Sequence, residues 1–152
     1  MAGTRPAFLS SSDSPRRKGA FVLSRDEQTA RLLRALDNPH LAVLAHPTGR
    51  LIGRREPYAV DMEKVIHHAA RRGCFLELNG SPDRLDLDDK FCRLAKREGV
   101  LVSLNSDAHR LSDFDNLAYA CSQARRAWLE PQDVLNARPL QELSPLLKSA
   151  FR

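Results

Sequence analysis

Apolar residues along this 152-residue chain fall into short continuous runs that alternate with longer stretches at three- and four-residue spacing. Phe21-Val-Leu23 is a short apolar run, and Ser24-Arg-Asp-Glu27 after it matches the S-x-x-E capping box that opens helices. The helix so opened carries Thr29, Leu32, Leu33 and Leu36 inward and stops at Asn38-Pro39. Leu41–Ala45 is a continuous apolar run, the pattern of a strand buried on both faces. A long Gly- and Arg-containing loop occupies Pro47 to Pro57. Met62, Val65, Ile66, Ala69 and Ala70 then recur at helical spacing, ending at Gly73. Cys74–Asn79 predicts a strand, Asp88–Glu98 a helix with Phe91, Leu94 and Ala95 inside, and Gly99–Leu104 a further strand. The remainder predicts helices near 115–126 and 139–149, with Trp128 packing between them.

Strands alternating with helices imply right-handed βαβ units and a parallel sheet, hence an α/β fold. Working residues in such folds gather at the carboxyl ends of the strands. His46, Asn79, Asp107 and His109 all stand at or just after predicted strand ends. About four strands are visible, whereas a closed barrel needs roughly eight. The strands therefore form part of a barrel wall or a small open sheet, and exposed edges of that kind predict self-association.

Composition adds three constraints. The net charge of +5 permits a polyanionic partner without demanding one. Part of that excess lies in residues 1–19, where turn-formers and Arg16-Arg17-Lys18 predict a disordered basic tail; residues 20–152 form one domain. The three cysteines, Cys74, Cys92 and Cys121, form no C-x-x-C pair and read as free thiols of a reducing cytoplasm. No apolar stretch approaches the roughly 20 residues that span a bilayer.

The chemistry concentrates in His46-Pro-Thr-Gly-Arg50 and Ser106-Asp-Ala-His109. If strand geometry continues past Leu104, Asp107 and His109 share a face. A carboxylate with two imidazoles suits Zn²⁺, Mn²⁺ or Fe²⁺. Other polar residues have plainer readings. His67-His68 reads as a solvated helical pair, and His40 beside Pro39 as a turn residue. Glu77 reads as a strand hydrogen-bond acceptor, and Asp86, Asp88 and Asp89 as helix-capping and dipole-pairing groups. Arg125 and Arg126 can either contact DNA or solvate a helix.

From Leu23 to Lys148 the chain resembles the C-terminal half of the PHP (polymerase and histidinol phosphatase) domain of bacterial family-X DNA polymerases. The resemblance rests on Leu23-Ser-Arg-Asp-Glu-Gln-Thr29, His46-Pro-Thr-Gly-Arg50, Gly53-Arg-Arg-Glu-Pro-Tyr58, Leu76-Glu-Leu-Asn79, Ser81-Pro-Asp-Arg-Leu-Asp-Leu-Asp-Asp89, Ser106-Asp-Ala-His109 and Ala124-Arg-Arg-Ala-Trp-Leu129. It implies about four strands of a distorted (β/α)₇ barrel with flanking helices, and metal-dependent phosphoesterase chemistry including 3′→5′ exonuclease action in DNA repair. It also implies His46, Asp107 and His109 as ligands of Mn²⁺ or Zn²⁺, and DNA 3′ ends as the partner. Arg50, Arg54 and Arg55 are then phosphate clamps, because guanidinium matches phosphate oxygens bidentately. The family's early His-x-His strand, with its further ligands, has no counterpart in these residues, and Lys18 stands near the place of another family histidine. A truncated PHP-like domain is therefore expected, whose cage is completed by a partner chain. Two alternatives remain: a non-catalytic DNA-binding or structural remnant, and a small PHP-like phosphatase.

Overall fold

The computed structural model describes residues 7–10 and 23–149. At its centre are three parallel strands, β2 (Leu41–Ala45), β3 (Phe75–Asn79) and β4 (Val102–Asn105). Ala7–Ser10, here β1, pairs in parallel with the free side of β2, so the strands are ordered β1-β2-β3-β4. These four residues fall in the stretch expected to be a disordered tail. The rest of that stretch, with Arg16-Arg17-Lys18, lies outside the described residues, as does Phe21-Val22 of the apolar run after it.

Each helix begins where the sequence supplies a cap. Helix α1 (Arg25–Leu36) has Ser24 as N-cap, and the Ser24 N–H donates to Glu27 Oε2 at 2.9 Å to complete the capping box. Helix α2 (Met62–Arg72) is capped by Asp61 and ends on Gly73, whose φ of +65° is left-handed. Helix α3 (Asp89–Arg97) is capped by Asp88, whose carboxylate accepts the Phe91 N–H at 2.9 Å. Helix α4 (Leu117–Arg126) follows a 3₁₀ segment, Leu111–Asn116, and α5 (Leu140–Ser149) closes the described chain.

The two faces of the sheet carry different loads. On one, Leu76, Leu78, Val102 and Leu104 pack with Leu36, Val65, Ile66, Cys92, Ala95, Ala120 and Ala124 from α1 to α4. Burial of a Leu or Ile side chain contributes about 1.5–3 kcal/mol, so this layer dominates stability. On the other, Ala42, Val43, Phe75 and Leu135 pack beneath Leu143, Leu146 and Leu147 of α5. Side chains alternate along a strand, so Glu77 and Asn79 share the face of Phe75, toward its carboxyl end. Among the described residues no helix is long and apolar enough to cross a membrane.

Two packing expectations fail. Ala70 is exposed, because it lies off the stripe formed by Val65, Ile66 and Ala69. Trp128 does not pack between α4 and α5: it is 74% exposed, swung outward by a left-handed backbone (φ +60°) just after α4 ends.

Candidate active site

The loops leaving β2, β3 and β4 hold the candidate residues. His46 follows β2 directly and is buried with φ +28°; Asp107 follows β4 by two residues with φ +55°. Such a backbone costs a non-glycine residue roughly 1–2 kcal/mol and clusters at functional sites. Strand geometry therefore stops before Asp107. The His46 N–H donates to Glu77 Oε2 at 2.7 Å, and Glu77 Oε1 accepts from Asn105 Nδ2 at 2.8 Å. Asn105 Oδ1 accepts in turn from the Ser103 hydroxyl at 3.1 Å. Glu77 is thus the expected acceptor, and it ties the ends of three strands together.

The loop after His46 is fixed from the other side by Asp86. This fully buried carboxylate accepts the Thr48 and Gly49 N–H groups on Oδ2, each at 3.0 Å, while Oδ1 has no hydrogen-bond partner among the described residues. Burial pushes its pKa up, and the hydrogen bonds from Thr48 and Gly49 only partly oppose it. Of the three aspartates assigned to the start of α3, Asp88 caps it and Asp89 enters its first turn, whereas Asp86 belongs to this loop. Gly49 has φ +63°, and a β-carbon there would stand 2.3 Å from Tyr58 Cε1.

Of the candidate clamps, Arg50 donates to the carbonyls of Arg84 and Leu85, and Arg55 to the carbonyl of Gly49. Each holds the loop with Nε and Nη2, and Nη1 has no hydrogen-bond partner among the described residues. Arg54 is exposed.

A cleft of about 370 Å³ opens among the loops that follow β3 and β4, lined by Ser81, Arg84, Asp107, His109, Asp113 and Asn116 among others. Asp107 and His109 meet here; His46 is not part of this wall. Arg84 Nε lies 3.4 Å from Asp107 Oδ2. His109 Nδ1 is 2.7 Å from the Asp107 carbonyl; a carbonyl only accepts, so this nitrogen carries a proton, and in the neutral ring Nε2 holds the lone pair. Asp113 accepts the His109 and Arg110 N–H groups at 3.1 and 3.0 Å, which hold its carboxyl below the usual range. Arg84 and Asp113 escaped functional notice in the sequence, because each acts on a partner outside its own motif.

Whether these residues suit a divalent metal is a question of donor supply. Among the described residues no three His, Cys, Asp or Glu side chains converge on one point. His68 Nε2 is committed 2.8 Å from Asp37 Oδ1 between α1 and α2, His67 lies 3.7 Å from Glu98, and His40 is exposed. Asp107 already faces a guanidinium. The donors present do not fit a complete divalent centre.

Comparison with known proteins finds relatives among a polymerase and probable phosphatases. The DNA polymerase/3′-5′ exonuclease PolX of Bacillus subtilis (strain 168) is 42% identical over 118 residues, covering 78% of this chain and 21% of the polymerase. A probable phosphatase of Syntrophotalea carbinolica is 32% identical over 117 residues, and one of Thermoanaerobacter sp. (strain X514) is 27% identical over 117. The chain spans 45% of the length of each phosphatase. No protein-family model matches it. With strand-end donors on a parallel α/β scaffold, these similarities align the chain with proteins of the PHP superfamily. Within that class it is similar to the C-terminal half of the PHP domain of family-X DNA polymerases.

Proposed function

We propose that this chain forms one part of a metal-dependent PHP-type phosphoesterase that processes DNA 3′ ends in the cytoplasm, with a partner chain supplying the remaining donors. The observation that carries this reading is the 42% identity to the PolX polymerase/exonuclease across 78% of the chain. Left-handed His46 and Asp107 agree with it, because strain at two strand ends is stability given up where a fixed side-chain direction matters. In this role His46, Asp107 and His109 contribute to a Mn²⁺ or Zn²⁺ site completed from outside the chain. Arg54 and the spare nitrogens of Arg50 and Arg55 meet phosphate oxygens. The distorted barrel is likewise completed by the partner, to which this chain contributes its strands.

The test is elemental analysis after dialysis against Mn²⁺ and Zn²⁺, beside a His46→Ala, Asp107→Ala, His109→Ala variant, with a 3′-exonuclease assay on single-stranded DNA. Metal held by the wild type and lost in the variant supports the assignment. Equal, negligible metal in both, with no gain on adding a chain that carries the early PHP strands, overturns it and leaves a scaffold role.

A further inference from the structure

Helix α4 ends in paired hydrogen bonds, Leu129 N–H to the Ala124 carbonyl and Trp128 N–H to the Arg125 carbonyl, each 3.0 Å. This is the Schellman turn, whose left-handed position glycine fills without steric cost. Trp128 occupies it at φ +60°. Burial does not compensate, because the indole is 74% exposed and has no hydrogen-bond partner among the described residues.

The backbone beneath the indole is held firmly. Lys96 Nζ donates to the Trp128 carbonyl at 2.8 Å, and Arg93 Nη2 to the Arg126 carbonyl at 3.4 Å. The neighbouring acids are spoken for: Glu130 and Asp133 lie 3.0 and 2.9 Å from Lys96, and Asp89 lies 3.5 Å from Arg93. Arg125 and Arg126 are exposed and have no carboxylate partner among the described residues.

An exposed indole on a firmly held backbone, two and three residues from arginines without carboxylate partners among the described residues, suits a ligand that offers flat π faces and negative charge at short intervals. Single-stranded nucleic acid has both: bases stack on the ring while phosphates meet the cations. A protein partner favours an aromatic anchor within an apolar surround depleted of charge, and the residues preceding Trp128 are charged. We propose that Trp128, Arg125 and Arg126 form a binding site for single-stranded nucleic acid. The site is separate from the cleft. Asn116 lines the cleft at the start of α4, and the ten-residue helix carries Trp128 about 15 Å away at 1.5 Å per residue.

Trp128 is the single tryptophan of the chain, so its fluorescence reports the site directly. Titration of the full chain with an oligodeoxythymidylate is expected to quench it saturably, while heparin, a polyanion without bases, competes without quenching. Affinity for the labelled oligonucleotide is expected to fall about five- to a hundred-fold in Trp128→Gly. In Arg125→Ala/Arg126→Ala the slope of log affinity against log salt is expected to flatten by about 1.4. Trp128→Gly is expected to melt about 2–6 °C higher, which excludes misfolding as the cause of lost binding. Unchanged oligonucleotide binding in Trp128→Gly, equal quenching by heparin, or quenching that follows protein concentration alone overturns the proposal. The metal measurements on His46, Asp107 and His109 are untouched by these variants, so the two ideas fail separately.

Discussion

Asn136 makes to Leu104 both hydrogen bonds that a neighbouring strand would make: Oδ1 accepts the Leu104 N–H at 3.0 Å, and Nδ2 donates to the Leu104 carbonyl at 2.7 Å. With the Val102–Val134 bridge, one side chain and one short segment close the outer edge of β4. The sequence predicts exposed edges and self-association, and at this edge the structure supplies a plug. Asn136→Ala should cost roughly 1–3 kcal/mol, because it strands a donor and an acceptor of the strand. It should also produce concentration-dependent association in sedimentation velocity. Asn136→Asp keeps the acceptor and loses the donor, so it should fall between the two.

Asp86 sets a pH dependence. Its folded pKa is raised above the unfolded value near 3.8, so its favourable contribution is complete below that value and is lost as pH rises through the folded one. Asp86→Asn keeps an acceptor for the Thr48 and Gly49 N–H groups. Urea denaturation from about pH 4 to 8 should therefore show the variant gaining on the wild type as pH rises. Asp86→Ala leaves two buried donors unmet and should cost about 2–4 kcal/mol near pH 4, with the gap to the wild type narrowing as pH rises.

Asp113 works in the opposite sense. Its folded pKa is lowered, chiefly by the His109 N–H. The stability it confers is present above the unfolded value of about 3.8 and is lost as pH falls through the lower folded one. The amide resonances of His109 and Arg110 should shift together below pH 4 in a proton–nitrogen NMR titration. In Asp113→Asn neither should move with that titration.

The thiols divide by depth. Cys121 is exposed, while Cys74 and Cys92 are buried with pKa values pushed up by burial. Ellman's reagent should modify one thiol per native chain quickly and all three after unfolding. Cys121→Ser should remove the fast phase.

What the sequence makes legible here is local. Leu41–Ala45 announces itself as a continuous apolar run and Cys74–Asn79 as a strand, and Ser24, Asp88 and Gly73 mark helix ends through capping chemistry that spans three or four residues. The site is harder, because its decisive contacts bridge distant positions. Asp86 to Thr48 joins residues 38 apart in the chain, and Glu77 to the His46 N–H joins residues 31 apart. The strand rule that pairs Asp107 with His109 fails for a related reason. A left-handed Asp107 breaks the alternation, and the two residues reach one cleft through a turn. Trp128 defeats pattern reading for the same cause, since an indole in a left-handed position points outward whatever its hydrophobicity.

Each strand of the sheet lies beside the one made just before it, in the order β1-β2-β3-β4, and the segment that seals β4 is made directly afterwards. A chain leaving the ribosome can therefore add one strand–helix unit at a time onto a template already present. No strand has to wait for a distant later one, and the interval in which an open edge meets other nascent chains is only as long as the synthesis of the next few dozen residues.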